Sequence, residues 1–238
     1  MISSLGNLNA LMEDLIVLME AEINACSASL DQAREYAEME FEKAGMSLDE
    51  ELPDFNKNYE LLQRKCREAL DIPRIEMPVI EPEDMAEFDE RLRSGHIDIF
   101  PPYAHGKLIA PKKMTPEEGD EWIKLGTKDG DPDDDVVEGL WTHIRADKLL
   151  PTQSQIWLEK IIGSIIKFGV PTQGSSVTET TIIVSDEGYI LDGHHRFGQV
   201  ILANPGLRMK ALKIPLDIDL LLTIGRSFGA AIGNEPKP

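Results

Sequence analysis

Apolar residues recur at three- and four-residue spacing through the first part of the chain. Leu8, Leu11, Met12, Leu15, Leu18, Met19 and Ile23 form a stripe that predicts a helix over residues 5–23. Ala33, Ala37, Phe41 and Ala44 predict a second over 30–44, and Tyr59, Leu62, Cys66 and Ala69 a third over 56–70. Asp31 and Asp54 stand near the starts as caps, with Gly45 and Pro73 as stops. Three amphipathic helices over residues 1–72 predict a small bundle or an oligomerisation arm. The near-heptad stripe of the first suits a partner helix as well as an internal core. Residues 72–82 hold Pro73, Pro78 and Pro82 and read as an extended linker, followed by a short helix over 83–93. A proline-rich loop spans 96–113, and Thr115-Pro116 opens a helix reaching Leu125.

Near residue 140 the pattern changes to short β-branched runs alternating with helical ones. Residues 141–146 predict a strand. A helix over 154–168 follows, with Thr152 as its cap and Ile156, Trp157, Ile161, Ile165 and Ile166 on its buried face. Residues 170–178 read as a loop able to close over a pocket. Residues 181–185 and 189–191 predict two strands of a hairpin, turning at Asp186-Glu187-Gly188, where glycine is free to take a positive φ. From His194 the spacing of Phe197, Val200 and Ile201 is helical. A strand over 209–214, a helix over 217–228 and a loose tail over 229–238 complete the chain. The expected fold class is α+β: an N-terminal helical region (1–72), an irregular acidic connector (73–140) and a small mixed α/β module (141–228).

Charge sharpens this division. Residues 1–138 hold 34 acidic and 14 basic side chains, whereas residues 139–238 hold 9 and 10. The first part would repel a phosphate backbone, so a long nucleic acid is disfavoured as a partner. No apolar run approaches 18 residues, and no membrane span is expected. Glu13 and Asp14 stand where a signal peptide would be basic and apolar, so none is expected. Cys26 and Cys66 lack metal-ligand spacing and read as free thiols in a reducing, cytoplasmic compartment. His96 and His105 have no Cys or Glu at ligand spacing and read as surface histidines. Asp129, Asp131 and Asp133 have the spacing of a calcium loop. Asp134 stands where its turn glycine belongs and Leu140 where its closing glutamate belongs, leaving a solvated acidic loop.

The candidate chemistry lies at Asp192-Gly193-His194-His195-Arg196, where a strand meets a helix. The first N–H groups of a helix have no internal partner and carry its positive end, so such a junction favours anions. Gly193 lets a ligand approach the backbone, Arg196 offers a bidentate fork and the imidazoles offer donors. Asp192 could hold a metal ion or take a proton. The alternative is a capped helix, with Asp192 as N-cap, half-buried histidines and Arg196 paired at the surface.

That run, after an apolar strand, resembles the signature of the ParB/sulfiredoxin superfamily. Residues 143–153, His-Ile-Arg-Ala-Asp-Lys-Leu-Leu-Pro-Thr-Gln, resemble the opening strand and L-x-P turn of the same superfamily. The resemblance covers 141–222. His194 stands where sulfiredoxins carry a catalytic cysteine, which removes the thiol chemistry. Chromosome-partitioning members carry G-E-R-R and a following helix-turn-helix domain, whereas only 42 residues follow Arg196 here. The free serine kinase branch matches best. It implies ADP at this run, with the Asp and an upstream Glu in catalysis. Gln153 occupies the place of that Glu, and an amide is no general base.

Phosphate binding therefore carries over better than catalysis. The resemblance implies Gly193, His194, His195, Arg196 and Gln153 as nucleotide- or phosphate-binding residues. Asp192 and His195 are the catalytic pair if the site turns over as an ATPase or phosphotransferase, with Mg²⁺ and a nucleotide as cofactors. A second expectation, of another class, is a non-catalytic assembly protein of the phage type, acting on a protein partner or on itself through residues 5–70. The nuclease label attached to the superfamily is third, and the acidic charge speaks against it.

Overall fold

The computed structural model describes residues 23–95 and 135–234. The helices expected over 5–23 and 115–125, His96, His105 and the acidic run 129–134 lie outside the described residues. The chain forms α1 (Leu30–Lys43), α2 (Leu48–Glu51), α3 (Phe55–Arg67), α4 (Met85–Arg93), β1 (Leu140–Arg145), β2 (Leu150–Pro151), α5 (Leu158–Phe168), α6 (Ser176–Glu179), β3 (Ile182–Val184), β4 (Tyr189–Asp192), α7 (His194–Ala203), β5 (Arg208–Lys213) and α8 (Ile218–Ala231). The class is α+β: N-terminal helices followed by a mixed α/β region.

The five strands form one mixed sheet in the order β1-β5-β3-β4-β2. β1 pairs antiparallel with β5 from Leu140↔Lys213 to Arg145↔Arg208. β3 runs parallel to β5 and antiparallel to β4, with a register shift at Ile183/Val184, and β2 lies parallel to β4. Period-two alternation then splits the strand side chains between two cores. Ile182, Val184, Ile190, Met209 and Ala211 join a cluster with α1, α3, α5 and α7. Ile183, Leu191 and Leu212 join a second cluster with α4 and α8. The sheet is thus covered on both faces, which is why β3 is buried at all three positions.

The N-terminal helices do not stand apart from this module. Ala33, Ala37, Phe41, Tyr59 and Leu62 bury in the same cluster as Ile161, Phe197 and Val200. Asn58 Nδ2 on α3 donates to the Leu202 carbonyl of α7 at 2.9 Å. The Tyr59 hydroxyl reaches the carbonyls of Ala25 and Ala28, both at 3.0 Å. At Gly198 of α7 an added Cβ would lie 2.5 Å from Ile161 Cδ1, so the two helices pack closely there because glycine leaves room.

Several local expectations are corrected. Ser29, not Asp31, caps α1: its side chain accepts from the Gln32 N–H while Gln32 reciprocates in a capping box. Asp54 occupies the N-cap position of α3 without a side-chain cap bond. α5 begins at Leu158, and Thr152 is not its cap, because its hydroxyl donates instead to the Ile190 carbonyl at 2.6 Å. Residues 72–82 are not a free linker: they include a 3-10 turn at Arg74–Glu76, and Met77 and Ile80 bury in the second core. Cys26 and Cys66 are joined in a disulfide, their Cα atoms 5.4 Å apart. Packing of α3 against residues 23–28 brings together thiols that sequence spacing leaves unrelated. Free thiols therefore no longer speak for a reducing compartment. Among the described residues no helix is long and apolar enough to cross a membrane.

Candidate functional site

β4 ends at Asp192 and α7 begins at His194, with Gly193 between them as the N-cap residue at φ 106°. An L side chain is strained there, and its Cβ would lie 2.4 Å from Ile182 Cγ2. Glycine is thus demanded twice, by conformation and by space. The first N–H groups of α7 have no partner within the helix, and Arg196 follows in the same turn. Arg196 Nη2 donates to Asp192 Oδ2 at 2.6 Å, an i,i+4 pair that is partly exposed.

The two histidines behave differently from simple surface donors. His194 is buried, and its Nε2 accepts from the N–H groups of Thr152 (3.0 Å) and Gln153 (3.4 Å). The Nε2 of His195 accepts from the Trp157 N–H at 3.1 Å. An Nε2 that accepts places the ring proton on Nδ1, so neither Nε2 is a donor in this arrangement. Burial pushes both imidazoles down to about 3. The nearby His195, Arg74 and Arg196 add to this for His194, and Arg74 and Lys160 for His195. Both rings are neutral across physiological pH, and they brace residues 152–157 against the start of α7.

Gln153, Asp192, Gly193, His194, His195 and Arg196 all line one cavity of about 230 Å³. The sequence-predicted site residues therefore come together. Gln153 is 2 % exposed, and its backbone N–H is one of the two that His194 accepts.

The other wall comes from a stretch that periodicity reads as linker: Arg74 and residues 77–81. The loop at 170–178, expected to close over the pocket, lies elsewhere. It contains α6, which packs on β5 and α7. Arg74 brings a second guanidinium to the cavity, and Glu81 and Asp192 are its carboxylates. The sequence signal that points to this wall is weak, only the apolar Met77 and Ile80 between prolines. The chain matches no family model, no curated protein and no solved structure.

Proposed function

We propose that this cavity binds a nucleotide or another phosphate-bearing ligand at the N-terminus of α7. The observation that carries the reading is the convergence of Gln153, Arg74 and Arg196 on one cavity at the first turn of α7. Open N–H groups, a guanidinium and a neutral amide donor are the groups that satisfy phosphate oxygens. The resemblance of residues 192–196 to a phosphate-binding signature points the same way.

If the site turns over, the chemistry is that of an ATPase or phosphotransferase, with Asp192 as the acceptor of a proton or ligand of a cation. Among the described residues no three His, Cys, Asp or Glu side chains gather to hold a metal unaided. Asp192 and Glu81 would then share Mg²⁺ with the phosphate oxygens, and the ion would offset their charge. His195 would first have to release the Trp157 N–H from Nε2 before acting as a base there. Binding without turnover is the second reading. It is favoured by Gln153 standing where the resembling kinases carry a glutamate.

A thermal-shift screen of ATP, ADP, CTP, GTP and phosphate, each with and without Mg²⁺, tests the proposal. Ligand at 100 times its Kd adds about 2.7 kcal/mol of stability. A shift for one member that disappears in Arg196→Ala is the expected result, and no shift with any member overturns the reading.

A further inference from the structure

The wall facing the start of α7 lies outside the stretch that resembles the superfamily, and its beginning is firmly held. The Ile72 N–H donates to the Thr152 carbonyl at 3.3 Å, and Ile72 forms an isolated parallel bridge with Gln153. The Arg74 N–H donates to Gln155 Oε1 at 2.9 Å. A second segment grips the same loop. Asn24 Nδ2 donates to the Ser154 carbonyl at 2.9 Å, the Ile156 N–H donates to Asn24 Oδ1 at 3.2 Å, and the Ala25 N–H donates to the Ile156 carbonyl at 2.7 Å. Residues 152–157 are thus held by residues 23–26 and by residues 72–74.

The Cys26–Cys66 bond joins these two holders covalently. Cys66 lies six residues before Ile72, near the end of α3, and Asp71 at φ 57° makes the bend between them. The gripped loop is also the one that braces both imidazoles and brings Gln153 into the cavity lining. Arg74, fixed at the end of this arrangement, lines the cavity beside His194 and His195.

We propose that Arg74 is a ligand-contacting residue of this cavity and that the Cys26–Cys66 disulfide holds it in place, so that the redox state of the bond sets ligand affinity. The proposal rests on the phosphate-binding reading above. The reductant is a dithiol. It supplies two electrons and two protons, the Sγ–Sγ bond breaks to leave two cysteine thiols, and the dithiol closes to its own disulfide. Both cysteines are partly exposed and so within its reach. Reduction removes the covalent link between the end of α3 and residues 23–26, leaving the Tyr59 and Gln63 hydrogen bonds to Ala25 and Ala28 one turn and more further back. The start of the wall then loses its covalent brace, and the Arg74 guanidinium its fixed position. A ligand must then order that side chain on binding, which lowers affinity.

The test is titration calorimetry of the full chain with ADP and with inorganic phosphate. It uses the oxidised protein, the protein reduced with dithiothreitol, Arg74→Ala in both states, and the double variant Cys26→Ser with Cys66→Ser. Loss of one charge-assisted contact is expected to weaken ADP binding about tenfold or more in oxidised Arg74→Ala. Reduction of the wild type is expected to weaken it in the same direction. Reduction of Arg74→Ala adds less than the product of the two single effects, because both act through one side chain. The double serine variant should bind weakly and ignore the reductant. Oxidised Arg74→Ala binding ADP as tightly as wild type overturns the proposal. So does unchanged affinity on reduction, and so does loss of far-UV dichroism on reduction, since the bond would then hold the fold and not the pocket. Loss in Arg196→Ala alone leaves the phosphate-binding reading standing without this inference. Failure of the oxidised wild type to bind either probe removes both.

Discussion

The two walls of the cavity differ in how they are built. The wall over residues 191–196 is local: strand, glycine turn and helix follow one another in the chain, and the backbone itself supplies the open N–H groups of the helix start. The wall over residues 74–81 has, beyond its 3-10 turn, no regular secondary structure of its own. It is held by distant residues: Thr152 and Gln155 at its start, Arg226, which donates from Nε to the Glu76 carbonyl, and Asn234, which donates from Nδ2 to the Val79 carbonyl. A local wall is rigid because few torsions are free. A borrowed wall is only as rigid as its supports.

The sharpest way to break this comparison is at Gly193. Replacing it with alanine combines left-handed strain with a Cβ driven against Ile182, and should cost roughly 3–5 kcal/mol in a urea unfolding experiment. A loss below about 1 kcal/mol would mean that the turn is not the fixed element described here. Next in size is the disulfide. Closing a loop over a sequence separation of 40 residues contributes about 2–4 kcal/mol, read as the drop in unfolding free energy under reductant.

Acid tests the bracing between β4, α7 and residues 152–157. Both imidazoles fold with pKa values of about 3, below the ordinary 6.5. The unfolded chain therefore binds more protons between those values. Stability is level above about pH 6.5 and falls as pH drops towards 3, by up to about 1.4 kcal/mol per pH unit for each histidine. Urea midpoints across this range should fall less steeply in His194→Gln than in wild type; equal slopes would remove His194 from the account.

The borrowed wall is probed from α8. A Cβ on Gly229 would sit 2.9 Å from the Val79 carbonyl oxygen. Alanine at a helical glycine ordinarily gains about 0.5–1 kcal/mol, so a Gly229→Ala variant no more stable than wild type, with weakened ADP binding, would show that the wall had moved. The smallest effect on folding is expected at Arg196. Its pair with Asp192 is partly exposed, so Arg196→Ala should change stability by no more than about 1 kcal/mol while abolishing the ligand-induced shift. A large loss of stability would make that pair structural.

The local wall was legible because its chemistry is written in consecutive residues. The alternation of 181–191, the turn at Gly188 and the helical spacing after His194 each follow from short-range geometry. The histidines were misjudged as donors because their partners, the N–H groups of Thr152, Gln153 and Trp157, lie about 40 residues away. Residues 72–82 were read as a linker for the same reason, since nothing nearby shows that Met77 and Ile80 find a core against α8. The cap of α1 was missed more narrowly, by two residues, because Ser29 with Gln32 was passed over for Asp31.

By itself the sequence determined the α+β class, most element positions and the glycine turn with its flanking Asp192 and Arg196, because period, turn chemistry and steric limits act over a few residues. Only the tertiary structure decided that α1 and α3 share a core with the sheet, that Cys26 meets Cys66, that both imidazoles are buried acceptors and that Arg74 reaches the cavity. Those outcomes depend on which apolar faces find each other across the whole chain, and burial, which sets pKa and hydrogen-bond demand, exists only once they have.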